Sequence, residues 1–167
     1  MAGHDDGPVR IATLTISDTR GPDDDRGGPE LRRLLAAAGF ALGPHAIIPD
    51  GVDGVRAAVV RLCGAPDVDA VVTTGGTGIA PRDQTYEAID GLLDKRLDGF
   101  GEAFRRLSWA EVGARAVLSR ALAGTHGGKI VVALPGSPKA LALAVEQVLA
   151  PILAHAVALA RGDGGGH

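Results

Sequence analysis

The sequence has little cysteine, little aromatic content and no concentrated charge. The single cysteine among 167 residues, Cys63, excludes an intrachain disulfide and a cysteine-built zinc cluster and suits a reducing compartment. Its expected role is that of a small buried hydrophobe on a helix. The formal net charge is −3, with Lys and Arg scattered along the chain. No basic stripe exists to make nucleic acid a general partner, although small anions can still be held by local backbone and Arg groups. The five histidines show no metal-ligand spacing and none has a Ser or Cys partner nearby in sequence, so a hydrolase triad is unsupported. The opening MAGHDDGPVR has no apolar signal core, and no uninterrupted apolar run reaches the length of a membrane span. The expectation is a cytoplasmic protein with no membrane contact. A hydrophobic content of 46% fits a globular chain, read as one domain over 1–167 with flexible stretches at 1–8 and 162–167.

What is present is an alternation of short β-branched runs and amphipathic stretches. Val9 to Ile16 reads as a strand ending in a polar loop, in which the acidic run Asp23 to Asp25 is expected to be solvated. A helix begins near Pro29, where the missing N–H costs nothing, and carries Leu31, Leu34, Leu35 and Ala38 until Gly39. Ala41 to Ile48 is a weaker strand closed by Pro49, Asp50 and Gly51. Val55, Ala58, Val59 and Leu62 mark a second helix. Val68 to Thr74, apolar at its centre, fits a parallel strand covered on both faces. Further helices are expected over Thr85 to Leu93 and Arg115 to Ala123, with a short amphipathic segment placing Phe100, Phe104 and Leu107 together. Lys129 to Leu134 is a strand, followed by a long helix to about Leu159, bent or interrupted at Pro151. These elements predict an α/β fold in three layers, a mostly parallel sheet with helices on both faces. Right-handed crossovers then gather the loops after the strands at one sheet edge.

Two of those loops favour anions. Gly75, Gly76, Thr77 and Gly78 allow a sharp turn with exposed N–H groups ahead of a helix. The run fits neither common nucleotide template, since Pro81 stands where a Rossmann loop needs glycine and Gly-Lys-Ser/Thr is absent. Arg82 can neutralise phosphate oxygens, whereas Asp83 repels them unless it ligates Mg²⁺ or accepts a proton. Asp83 could also cap the following helix. In Pro135, Gly136, Ser137, Pro138 and Lys139, Ser137 is a good N-cap and Pro138 a good first helical residue, while Gly136 permits close approach of a ligand. Lys139 is either a ligand contact or a solvated charge. Asp50 lies in Pro-Asp-Gly, a strong turn signature.

Taken in order, TISDTR at Thr15 to Arg20, IPD at Ile48 to Asp50, TTGGTG with RDQT between Thr73 and Thr85, GFGEAFR at Gly99 to Arg105, LSR at Leu118 to Arg120 and LPGSPKA at Leu134 to Ala140 resemble the MoaB/MogA family of molybdenum cofactor biosynthesis. The resemblance covers nearly the whole chain. It implies a molybdopterin-binding α/β fold, a homotrimer or hexamer, and ATP and molybdopterin as substrates with Mg²⁺. Active members adenylylate molybdopterin, releasing pyrophosphate. By position, Asp50 and Asp83 correspond to the family's catalytic aspartates, here expected to organise Mg²⁺. Ser17, Asp18, Thr74, Gly75 to Gly78, Arg82 and Pro135 to Lys139 are the implied substrate-binding set. The chain departs from the family where Ser-Gly is common, having Gly27 and Gly28, and where Thr-Pro-Glu is common, having Thr85, Tyr86 and Glu87. Two other readings are a molybdopterin carrier with little catalysis and a nucleotide pyrophosphatase like the CinA family.

Overall fold

Strand and helix alternate in the computed structural model, which describes residues 7–163. Of the ends expected to be flexible, 1–6 and 164–167 lie outside the described residues. The order is β1 (Arg10–Ile16), α1 (Gly27–Ala37), β2 (Ala41–Ile48), α2 (Val52–Cys63), β3 (Ala70–Thr74), α3 (Thr85–Asp90), β4 (Lys95–Arg96), α4 (Asp98–Val112), a 3₁₀ turn (Gly113–Leu118), β5 (Leu122–His126), β6 (Lys129–Leu134), α5 (Pro138–Ala144), a π turn (Val145–Leu149) and α6 (Ala150–Arg161). The sheet order is β2-β1-β3-β6-β5-β4. The first four strands are mutually parallel, and β5 and β4 add an antiparallel edge.

The expected three layers follow from how the strands divide their side chains. Every residue of β3 is buried; Ala70 and Val72 face one core cluster, and Val71 faces the other. The first cluster joins the sheet to α1, α4 and the last helix through Leu31, Leu35, Phe104, Leu141 and Leu153. The second joins it to α2 and α3 through Val55, Val59 and Ile89. Burying each such side chain contributes about 1.5–3 kcal/mol before chain entropy is subtracted.

Three expectations are corrected. The helix expected over Arg115 to Ala123 is a 3₁₀ turn followed by an irregular link, and its last two residues open β5. Ala, Leu and Arg dominate the segment and favour a helix locally, but pairing with β6 across Gly127 and Gly128, both at positive φ, overrides that preference. The short amphipathic segment is a full 15-residue helix, with Phe100 and Phe104 stacked at 6.5 Å between ring centroids. The last helix is not broken at Pro151. It runs from Pro138 to Arg161, widening into the π turn just before the proline, which accommodates the lost donor. Those 24 residues, which contain an 18-residue stretch with a mean hydropathy of 1.7, are long and apolar enough to span a membrane by length and composition. Here Leu141, Ala144, Val145, Leu149, Leu153 and Val157 pack onto the sheet.

Candidate active site

The ends of β1, β2, β3 and β6 bring four loops to one edge. Hydrogen bonds tie them together: Ser17 N–H to Ile48 O and Gly75 N–H to Leu134 O, both at 2.9 Å, and Thr74 Oγ1 to Pro135 O at 3.0 Å. The Asp50 N–H donates to Asp18 Oδ1 at 2.9 Å, which draws the loop after β2 to the loop after β1. Gly75 and Gly76 have φ of +101° and +72°, a backbone region that penalises any side chain. A Cβ on Gly75 would strike Ile16 O, and one on Gly76 would strike Thr85 Oγ1 and come within 3.0 Å of Asp50 Oδ1. The glycines let the loop after β3 lie directly on the neighbouring loops.

Two hollows share this edge. One, of about 640 Å³, is lined by Gly75 to Gly78, Asp83, Pro135 to Ser137 and Lys139, and on its other side by Phe104, Ser108, Arg115, Leu118, Ser119 and Leu143. The other, of about 510 Å³, lies over the start of α1, between Ser17, Arg20, Arg26, Gly27, Thr74 and Pro138. Gly75, Gly136 and Ser137 border both. A ligand in the larger hollow meets backbone and small polar groups at one end and, at the other, apolar side chains of Phe104, Val112, Leu118 and Leu143 interspersed with Ser108, Glu111 and Arg115. That division suits a planar ring carrying a phosphate.

The carboxylates gather beside the glycine loop. Burial raises the pKa of Asp50, and the charges of Asp18 and Asp83 raise it further, while Arg82 opposes them. Asp50 Oδ1 is buried without a hydrogen-bond partner. Asp83 does not cap α3, whose N-cap, Gln84, makes no side-chain cap bond; its Oδ2 accepts the Ala80 N–H at 3.0 Å. Among the described residues no three His, Cys, Asp or Glu side chains form a ready-made metal cage. A buried, unpaired carboxylate oxygen with two further carboxylates acting on it nevertheless fits Mg²⁺, which is commonly held by one or two carboxylates plus substrate phosphates.

The other expected residues divide by role. The Ser137 side chain is used in capping α5, accepting Ala140 N–H at 3.2 Å. Ser17 borders the smaller hollow, and its Oγ accepts the amides of Thr19 and Arg20. Asp18 acts through Asp50, and Arg82 is exposed, lining neither hollow. Asp25 is not solvated: it is 8% exposed and accepts Thr15 Oγ1 at 2.8 Å and Gly28 N–H at 3.0 Å. Cys63 is buried, as expected, and burial pushes its thiol up to about 11. The α4 wall escaped sequence reasoning because Phe104 has core periodicity, and nothing local marks a core residue that also borders a cavity.

Comparison with known proteins agrees with this fold. The family model described as "Probable molybdopterin binding domain" matches residues 12–155. Molybdenum cofactor biosynthesis protein B of Staphylococcus carnosus is 44% identical over 155 residues, covering 91% of each chain. A crystal structure of a molybdenum cofactor biosynthesis protein B superposes with a TM-score of 0.89 at 42% identity, covering 93% of this chain and 97% of that one. The molybdopterin biosynthesis enzyme MoaB of Thermus thermophilus gives 0.82 at 35% identity, covering 92% and 97%. CinA of Thermoplasma acidophilum, at 0.56 and 16% identity, shares the fold alone. The chain belongs to the molybdopterin-binding family of molybdenum cofactor biosynthesis proteins, alongside MoaB and MogA.

Proposed function

We propose that the protein adenylylates molybdopterin with MgATP. The observation that carries this reading is the unpaired, buried Oδ1 of Asp50 beside Gly76, where Asp18 and Asp83 add negative charge. Anionic side chains next to an anion cradle are compatible when a cation lies between them and the phosphates. In this reading Asp50 and Asp83 hold Mg²⁺, which when bound offsets the charge of the ATP phosphates. The backbone of Gly75 to Gly78 holds a phosphate, and the Pro135 to Lys139 loop orients the second substrate across the shared border. A terminal phosphate oxygen of molybdopterin attacks the α-phosphorus of ATP. That O–P bond forms as the bond to the α,β-bridging oxygen breaks, and pyrophosphate leaves with the electron pair. No side chain need remove a proton, because the attacking phosphate is already anionic at neutral pH. The chain contributes proximity and fixed donors.

Incubation with molybdopterin and MgATP is expected to give adenylylated pterin and pyrophosphate in equal amounts. Pterin bound without product would leave a carrier. Asp83→Asn is expected to keep the fold and pterin binding while turnover falls roughly a hundredfold or more, the scale at which lost charge stabilisation is felt; normal turnover would reduce Asp83 to a loop contact. The reading includes cytoplasmic residence and a homotrimer or hexamer of the 16.9 kDa chain, which light scattering on the eluting protein measures directly.

A further inference from the structure

Arg120 lies in the link between the 3₁₀ turn and β5, far in sequence from the glycine loop that it grips. Its backbone N–H donates to Thr77 O at 3.0 Å. Its Nε donates to Gly78 O at 2.9 Å and an Nη2 proton to Asp83 O at 3.0 Å. Nη1 and Nη2 also grip the Glu87 carboxylate on α3. The guanidinium carbon lies 5.2 Å from the centre of the Tyr86 ring, and the Tyr86 hydroxyl accepts a hydrogen bond from Arg96 at 2.8 Å. Tyr86, where the chain departs from the family's Thr-Pro-Glu, is therefore a platform under the arginine, a contact worth about 0.5–1 kcal/mol at an exposed site.

Three carbonyls of the loop thus converge on one residue. In a trans peptide the following N–H points opposite to its carbonyl. Holding Thr77 O and Gly78 O toward Arg120 turns the amides of Gly78 and Ile79 away from it. Gly75 to Gly78 and Asp83 line the 640 Å³ hollow, whereas Arg120 does not. It borders a separate hollow of about 360 Å³ with Gln84 and Glu87, so it holds the loop from behind. A planar fork with fixed donors suits its three separate acceptors, the Gly78 and Asp83 carbonyls and the Glu87 carboxylate, and a lysine ammonium on a flexible stem does not.

The geometry points to Arg120 as a positioning residue: by fixing the Gly78 and Asp83 carbonyls its guanidinium, beside the Thr77 carbonyl held by the Arg120 backbone N–H, holds the loop's backbone donors and the Asp83 carboxylate in the placement that adenylyl transfer uses. This assignment rests on the function proposed above. Its test compares the full-length protein with Arg120→Ala and Arg120→Lys in two measurements, molybdopterin-dependent pyrophosphate release from MgATP and amide hydrogen exchange without ligand. Arg120→Ala is expected to lower kcat about a hundredfold, as for a displaced reacting group, with a smaller change in KM for ATP. Amide exchange is expected to quicken within 76–84 and to stay unchanged in β1 and β3. Added ethylguanidinium is expected to restore part of the lost turnover. Arg120→Lys is expected to lose about tenfold in kcat, because it keeps the charge but cannot span the three acceptors. If Arg120→Ala does not fold, Arg120→Lys decides. Wild-type exchange over 76–84 in that variant, or kcat within twofold of wild type, overturns the assignment. If the wild type itself releases no pyrophosphate, the adenylyltransfer reading fails separately. The exchange data then judge Arg120 alone: faster exchange confined to 76–84 supports the positioning role, and its absence overturns it.

Discussion

Asp50 shows at the scale of one residue how the proposed function opposes stability. Burial and the charges of Asp18 and Asp83 raise its pKa, so the fold favours the protonated form. At neutral pH the ionised carboxylate carries a penalty, which is relieved as pH falls through the raised value or when a cation binds. Asp50→Asn removes that penalty while keeping the side chain's shape. The variant is expected to melt at a higher temperature than wild type at neutral pH without Mg²⁺. It is also expected to lose the stabilisation that Mg²⁺ with ATP gives the wild type, and to turn over at least about a hundredfold more slowly. Calorimetry with and without Mg²⁺ checks the first two effects. A melting temperature below wild type would mean that the carboxylate is a structural anchor instead.

At the scale of elements, the start of α1 shows why adjacent glycines are not equivalent. A Cβ on Gly28 would collide with Asp25 Oδ2 and Thr15 Oγ1 and lie 2.8 Å from His45 Cε1, whereas one on Gly27 would meet Thr74 Oγ1 at 3.2 Å and Gly136 O at 3.4 Å. Gly28→Ala is therefore expected to cost about 1–3 kcal/mol, as overpacking does. Gly27→Ser, where a Cβ needs its neighbours to give only a few tenths of an ångström, is expected to cost less than Gly28→Ala; urea midpoints separate the two. The loop containing Asp25 looked solvated because three consecutive aspartates are hydrophilic as a run, yet only contact with Thr15 and the Gly28 amide decides which one is buried. The parallel strands and the loop pair Gly75–Gly78 and Pro135–Lys139 were legible because turn chemistry and β-branched runs are local. β5 was not, since its state depends on pairing with β6, and the grip of Arg120 on Gly78 depends on a contact 42 residues distant. The LSR block marked that arginine by resemblance and gave it no task.

At the scale of the whole molecule, one partly buried network links the β2 edge of the sheet to α1 and to the smaller hollow. Arg32 Nη1 donates to Thr13 Oγ1 at 2.9 Å, leaving the Thr13 hydroxyl proton for His45 Nδ1 at 2.8 Å. The Asp25 carboxylate, 3.6 Å from His45 Nε2, favours the histidine proton on that nitrogen, with Nδ1 accepting from Thr13. Thr13 is fully buried, so the trio Thr13, His45 and Asp25 holds elements together and offers no nucleophile to a ligand. Burial lowers the pKa of His45, Arg32 lowers it further, and Asp25 and Thr13 oppose the shift. The fold thus favours neutral imidazole. The unfolded chain takes up its proton near pH 6.5, so His45's contribution is complete above that value and declines as pH falls from there toward the lowered folded value. Solvent screening at this partly exposed site holds the loss below the full linkage slope of about 1.4 kcal/mol per pH unit. Urea unfolding at about pH 7.5 and about pH 5.5, which bracket that reference value, is expected to show a larger drop for the wild type than for His45→Gln, which accepts from Thr13 but does not titrate. An equal drop in both proteins would assign the acid sensitivity to carboxylates elsewhere and mean that His45 titrates alike in the folded and unfolded chain.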